Sequence, residues 1–227
     1  MNQTFAIGLD LGGTKILGLL VDKKGEILKR HEIATPAGNA EALLQALGQV
    51  AAVLKDHCLD QYQAAPMGLG IGAPGPLNPQ TGVIYTMPNL PGVENLPLAA
   101  RLEALSGLET RLENDANAAL LGEVYFGAAD HAQDAVMFTL GTGVGGAVFA
   151  GGKMIHGRRG SAGEFGHITV EFDPGRPCGC GRTGCLETVA SGTAVSAIVR
   201  ESDIDAQDSR EFLSLLIAGI NTRTLPV

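Results

Sequence analysis

Glu164-Phe165-Gly166-His167 and, eleven residues after His167, Cys178-Gly179-Cys180-Gly181-Arg182-Thr183-Gly184-Cys185-Leu186-Glu187 form the stretch from which the rest of this chain is read. Three thiols and one imidazole are a complete tetrahedral donor set for zinc. The Cys-x-Cys-x4-Cys spacing closes a tight loop, and His167 can come from a strand that the loop folds back on. Gly175, Gly179, Gly181 and Gly184 supply the turns, because glycine takes positive φ freely. Four protein ligands leave no open coordination position, so an ion here is structural. Its role is to fix the loop and, with it, Glu164 and Glu187 on either side. Cys58, the remaining cysteine, lies in an apolar helical run far from the cluster. The clustered thiols are thus odd in number, which suits a Cys3His site better than disulfide pairing. Free thiols and disulfides are the two other readings.

Composition bounds the rest. The chain has 227 residues, 45% hydrophobic and 18% charged, with a net charge of −8. That is enough for one large domain or two small ones. No apolar run reaches the length of a membrane helix, and no Lys/Arg block offers a nucleic-acid footprint. The opening MNQTFAIGLD lacks a basic segment followed by an apolar one, so no export signal is expected. Together with unpaired thiols this points to the cytoplasm. Many of the 32 glycines are clustered, which suggests backbone-lined loops whose amides can hold an anion such as a nucleotide phosphate.

Taken in order, Thr4–Asp10 reads as a strand, Leu11–Lys15 as a turn, and Ile16–Val21 and Glu26–Ile33 as two further strands of a meander. Gly12 and Gly13 can expose backbone N–H groups to a phosphate, Thr14 and Lys15 add donors, and Asp10 can orient hydrated magnesium. An ordinary Gly-Gly hairpin is the plainer reading of the same turn. Asn39 can cap an amphipathic helix over 40–57, and Met67–Ile71 is a buried strand. Residues 72–97 read as a long irregular loop, Leu98–Leu105 as a helix and Glu109–Leu112 as a strand. Glu113-Asn114-Asp115-Ala116-Asn117 then opens a helix to about Gly127. Asp115 is there either a cap or dipole partner, or a general base beside Asn114 as a ligand group. Ala135–Leu140, the turn Gly141–Gly146 and Ala147–Ala150 repeat the strand–Gly/Thr turn–strand design of residues 5–21. Two such hairpins can hold a nucleotide's phosphates. Residues 188–201 read as a helix, 201–208 as a polar linker and 211–220 as a final apolar helix.

Several of these motifs, in this order, resemble the ROK family. They are Asp10-Leu11-Gly12-Gly13-Thr14-Lys15, Gly72-Ala73-Pro74-Gly75, Pro88-Asn89-Leu90, Glu113–Asn117, Gly141-Thr142-Gly143, Glu164–His167 and Cys178–Glu187. That family contains bacterial glucokinases, other hexose kinases, N-acetylhexosamine kinases and sugar-responsive repressors. The zinc loop with its flanking glutamates is the most specific part of the match. The resemblance implies an α/β fold of two ribonuclease-H-like (actin-like ATPase) lobes around a cleft. They would be residues 1–113 and 114–227, the second incomplete and carrying the zinc loop 167–185. It implies ATP- and Mg2+-dependent phosphorylation of a hexose, most like glucose to glucose 6-phosphate, with Asp115 as the base. Asn89, Asn114, Asp115, Glu164, His167 and Glu187 would bind the sugar. Asp10, Gly12, Gly13, Thr14, Lys15, Gly141, Thr142 and Gly143 would bind the nucleotide. His167 would use one ring nitrogen for zinc and the other toward Glu187 or the sugar. A homodimer is implied as well. N-acetylglucosamine or N-acetylmannosamine as the substrate, polyphosphate as the donor, and a sugar-binding remnant without catalysis stay open. No helix-turn-helix pattern stands before residue 4, against a repressor. Residues 221–227 do not resemble the family's continuation, which contacts adenosine.

Overall fold

A computed structural model describes residues 4–87, 90, 92–158 and 160–201. The chain forms two compact units, Met1–Met137 with Ala147–Ala162, and Phe138–Gly146 with Gly163–Val227.

The first unit is built on β1 (Phe5–Leu11), β2 (Lys15–Asp22) and β3 (Ile27–Ala34), paired antiparallel as the meander pattern predicts. Alternation along β1 sends Phe5, Ile7, Leu9 and Leu11 into the core. The helix α1 (Ala40–Tyr62) covers that face with Leu43, Leu44, Leu47, Val50, Leu54 and Cys58. Asn39 caps it as expected, its side-chain oxygen accepting the Glu41 and Ala42 N–H groups at 3.1 Å. Gly18 lets α1 lie close on β2, because a Cβ there would overlap the Val50 and Leu54 side chains. The helix outruns its predicted end because its apolar face continues: Tyr62 stacks on Phe5 with centroids 4.7 Å apart.

Beyond α1 come β4 (Leu69–Ala73), α2 (Leu98–Ser106), β8 (Thr110–Asn114) and α3 (Asp115–Phe126). The main sheet has the order β3-β2-β1-β4-β8, with β4 parallel to both β1 and β8. The predicted irregular stretch 72–97 holds a small antiparallel sheet of β5 (Leu77–Asn78), β6 (Val83–Thr86) and β7 (Glu94–Leu96). Its strands are too short to show a period. They are fixed by the Asn78 side chain, which accepts from the Gln80 and Thr81 N–H groups, and by burial of Leu77, Ile84 and Leu96.

A further sheet, in the order β11-β10-β9, comprises β9 (Ala135–Leu140), β10 (Val144–Ala150) and β11 (Lys153–Met154). β9 has its predicted bounds, whereas β10 begins three residues before the predicted Ala147. One side of β9 presents Val136, Phe138 and Leu140, which are 59%, 51% and 70% exposed. In the second unit, Phe165–His167 is one 3₁₀ turn, and α4 (Glu187–Ala190) and α5 (Gly192–Glu201) replace the single helix predicted over 188–201. The break falls at Ser191, whose backbone is extended. The next amide, Gly192 N–H, donates to the Gly141 carbonyl at 2.8 Å instead of extending the helix. The linker expected after Glu201 and the helix expected over 211–220 lie outside the described residues. No described helix is long and apolar enough to cross a membrane.

Candidate functional site

In the first unit the chemistry-bearing residues stand at the C-terminal ends of the parallel strands. Register pairs Asp10 of β1 with Gly72 of β4, and Gly72 and Ala73 with Glu113 and Asn114 of β8. The turn after β1 is closed by the Gly12 N–H donating to the Lys15 carbonyl at 2.9 Å. Thr35, just past β3, clamps it by donating its hydroxyl to the Gly12 carbonyl (2.7 Å) and its N–H to the Thr14 carbonyl (3.0 Å). Lys15 Nζ sits 3.0 Å from Glu32 Oε2, an exposed pair that water screens. The Asp10 carboxyl is held above its ordinary range, first by desolvation from the atoms packed around it and then by the negative Asp115, while Lys15 pulls the other way. Part of Asp10 is nevertheless open to solvent.

β8 runs into α3 without a linker, so the helix starts where the strand stops. Asn114 is the N-cap: its side-chain oxygen accepts the Ala116 and Asn117 N–H groups at 3.0 and 3.2 Å. That oxygen is committed, leaving the Asn114 amide group for a ligand. Asp115 is the first helical residue; one carboxylate oxygen accepts the Ala116 N–H at 2.8 Å. Gly72 of β4 packs beside this junction, where a Cβ would make ordinary contacts with the Asp115 Cα at 3.6 Å and the Ala118 Cβ at 3.4 Å. Glu113 Oε1 accepts from the Asn114 N–H (2.8 Å) and the Asn117 side-chain amide (3.0 Å), and Glu113 Oε2 lies 2.7 Å from His156 Nε2. Asn117 is 5% exposed, and its side-chain oxygen has no hydrogen-bond partner among the described residues.

The second unit brings together His167, Cys178, Cys180 and Cys185, whose ligand atoms all lie within 4.8 Å of one another. Cys180 Sγ is 3.7 Å from Cys185 Sγ, and Cys178 Sγ is 3.7 Å from His167 Nδ1. A tetrahedral zinc site with metal–sulfur bonds of about 2.3 Å has ligand–ligand edges of about 3.8 Å. The four predicted ligands therefore fit the ion. The loop is held without it by short backbone pairings, Thr169 with Cys185 and Pro177 with Thr183. The Arg182 guanidinium adds a bond to the His167 carbonyl at 2.9 Å. The Cys180 thiol is drawn down to about 6, first by the Arg182 N–H and then by its guanidinium. The Cys178 thiol is also lowered by a Cys180 N–H, but its bond to the Glu187 carboxylate and the neighbouring thiols prevail and carry it up to about 12. Cation binding here must release protons, because the ligand is the thiolate.

The two glutamates are fixed unequally. Glu187 Oε1 accepts from Cys178 Sγ at 2.9 Å and lies 3.6 Å from His167 Nδ1. Its other oxygen lies against Gly143, where a Cβ would come within 2.8 Å of it. Glu164 is 63% exposed and reaches His167 Nε2 only at 3.9 Å. Of the two partners expected for the second ring nitrogen of His167, Glu187 or the sugar, Glu187 is not the one that Nε2 meets. Glu187 stands on the Nδ1 side, with the cluster, and Nε2 faces Glu164. Gly166 makes the turn between the acid and the imidazole possible, because a Cβ there would run into the Val144 carbonyl. The hairpin Gly141–Gly143 closes on itself through the Gly141 N–H and the Gly143 carbonyl (3.0 Å). It docks on the start of α5 through Gly192 and through the Thr193 hydroxyl, which donates to the Thr142 carbonyl at 2.8 Å. Asn89 lies outside the described residues.

These motifs can be set beside known proteins. The sequence profile of the ROK family matches residues 6–219. The chain belongs to the ROK family. Its α/β fold is that of the ROK kinases, within the actin-like ATPase group. A glucokinase of Halalkalibacterium halodurans is 40% identical over 224 residues, 98% of this chain and 67% of that protein. An N-acetylmannosamine kinase of Escherichia fergusonii is 41% identical over 196 residues, 84% of this chain and 62% of that protein. The crystal structure of a ROK family glucokinase from Streptomyces griseus in complex with glucose and AMPPNP superposes with a TM-score of 0.72 at 38% identity, covering 87% of this chain and 60% of that one. This ROK chain thus spans 60–67% of the length of these relatives.

Four positions in the ROK chain carry structure that the sequence reading passes over: Thr35, His156, Arg182 and Thr193. Each acts across a long sequence separation, on a backbone carbonyl or on the Glu113 carboxylate. No spacing rule signals such a bond, and only the folded chain brings the partners together.

Proposed function

We propose that this chain carries the machinery of an ATP-dependent hexose kinase that phosphorylates glucose at its 6-hydroxyl, with Asp115 as the general base. The observation that carries the reading is the junction at Asp115. One carboxylate oxygen is engaged by a backbone N–H, the backbone is fixed by the Asn114 cap, and Asp10 lies near enough for its charge to be felt. Kinase names among close relatives support it. Phosphoryl transfer passes through a loose transition state in which positioning and charge compensation do most of the work. The free Asp115 oxygen takes the proton of the sugar hydroxyl as the new O–P bond forms and the bond to ADP breaks. Magnesium, when bound with ATP, supplies charge neutralisation. Asp10 would face its hydration shell, and the amides of Gly13 and Thr14, the Lys15 ammonium and the turn Gly141–Gly143 would face phosphate oxygens, while the Gly12 N–H, engaged by the Lys15 carbonyl, holds the turn in shape.

Sugar hydroxyls need acceptors that bind two at a time, which carboxylates and amides supply. Asn89, Asn114, Glu164 and Glu187 take that role, and His167 Nε2 adds one more group. His167 Nδ1, Cys178, Cys180 and Cys185 would hold zinc, which would fix the loop that carries Glu187. The division into lobes at 113/114 belongs to this reading; by compactness alone α3 stays with the first unit.

The test is a coupled phosphorylation assay on the 227-residue chain with Mg-ATP and glucose, mannose, fructose, N-acetylglucosamine and N-acetylmannosamine. Glucose turnover that falls by about 10³-fold or more in Asp115→Asn, a loss in the range of general-base removal, is the expected result. A second reading, N-acetylmannosamine phosphorylation, is favoured by the 41% identity to a kinase of that name, and a preference for that sugar in the same panel selects it. Glucose binding by calorimetry with no turnover on any sugar overturns both in favour of a sugar-binding remnant.

A further inference from the structure

We infer that His156 is a positioning residue for Asp115, acting through Glu113. The inference rests on the reading of Asp115 as the base. Glu113 spans the strand-to-helix junction: Oε1 accepts from the Asn114 backbone N–H and from the Asn117 side chain, one residue before and two residues after Asp115. Its remaining oxygen, Oε2, has one partner among the described residues, His156 Nε2 at 2.7 Å. Both side chains are sheltered, 19% and 25% exposed. A hydrogen bond to a charged group so sheltered is stronger than one in open water. The acceptor is a carboxylate oxygen, so Nε2 carries the proton and the imidazole is the donor.

Without His156, Glu113 Oε2 is left half-buried and unmatched, and the carboxylate is free to turn toward water. Turning takes Oε1 off the Asn114 N–H and the Asn117 amide together, because the two oxygens belong to one rigid group. The Asn114 cap and the start of α3 then lose their outer brace, and the Asp115 carboxylate loses its fixed direction. Asn117 is sensitive to this, since its other polar atom has no partner among the described residues. His156 itself stands just past β11, with its carbonyl taking the Ala162 N–H at 3.1 Å, so the brace is tied to a closed turn.

The experiment compares wild type, His156→Ala, His156→Gln, Glu113→Gln and the double variant His156→Ala/Glu113→Gln on the full chain. It uses steady-state kinetics on the preferred sugar together with amide hydrogen exchange of the unliganded protein. A misdirected base lowers kcat by about 10²-fold while KM for the sugar stays within about twofold. The expected results are that loss in His156→Ala, partial recovery in His156→Gln, which keeps a donor, and no further loss in the double variant beyond the worse single. The Ala116 and Asn117 amides exchange faster in His156→Ala while those of β1 do not. A kcat within twofold of wild type in His156→Ala, or losses that multiply in the double variant, overturns the inference. If wild type turns over no sugar, the reading of Asp115 as the base fails, and the exchange experiment alone decides on the brace. Unchanged exchange at Ala116 and Asn117 then overturns it.

Discussion

Asp10 and Asp115 share one end of one sheet, and their charges oppose each other. The Asp10 carboxyl keeps its proton to a higher pH in the folded chain than its ordinary 3.8, through desolvation first and Asp115 second. The folded state therefore binds more protons than the unfolded state in that window, and stability falls as pH rises through it. At neutral pH the Asp10 charge is a cost, so Asp10→Asn should raise Tm, though only by about 1–3 °C because solvent screens a partly open site. The gain should shrink as pH falls toward 3.8, which differential scanning at several pH values reads directly. Activity should fall in the same variant, since Asp10 is proposed to face magnesium. At this scale the sequence showed residue types and their order well: the four clustered ligands do meet, and Asn39 does cap. It did not show which oxygen or nitrogen of each group is already engaged. The Asn114 carbonyl oxygen, one carboxylate oxygen of Asp115 and the orientation of His167 are set by partners that the fold delivers.

Among the elements, two substitutions separate close packing from capping. Gly166 lies under the Val144 carbonyl, and any Cβ there must push the 3₁₀ turn off β10. Gly166→Ala should destabilise the second unit by about 2 kcal/mol or more, in the range of overpacked interiors, and weaken metal retention with it. Chemical unfolding together with metal content measures both. Asn39→Ala removes the acceptor for two amides at the start of α1 and should cost about 1 kcal/mol of stability with no effect on metal content. The meander, α1, α2, α3 and β9 were legible from their apolar runs and bounding turn or cap residues, and fall within about five residues of their predicted ranges. The small sheet of β5, β6 and β7 was not, because strands of two to four residues carry too few side chains to alternate. The break between α4 and α5 was passed over although Ser191, Gly192 and Thr193 are poor helix formers, because the sequence does not show what partner the backbone takes there instead. The amide of Gly192 is taken by a carbonyl fifty-one residues earlier in the chain.

For the whole molecule, the Cys3His cluster predicts a binding stoichiometry. The purified chain should hold about one zinc per protomer by elemental analysis, and Cys180→Ser should hold well under half of that. Stripping the ion with a chelator should speed amide exchange over residues 164–190 and leave residues 5–73, which carry no part of the cluster, unchanged. The alternating row on β9 has a different consequence. Val136, Phe138 and Leu140 recur about every 7 Å along a strand that is the outermost of its sheet among the described residues. A strand edge with an apolar face beside it is a template for self-association. Handling of this chain in the laboratory is thus governed by colloid behaviour as much as by fold. Light scattering should report particles growing with protein concentration and with added sulfate, and a lysine in place of Val136 should delay that growth while leaving the melting temperature within a degree or so.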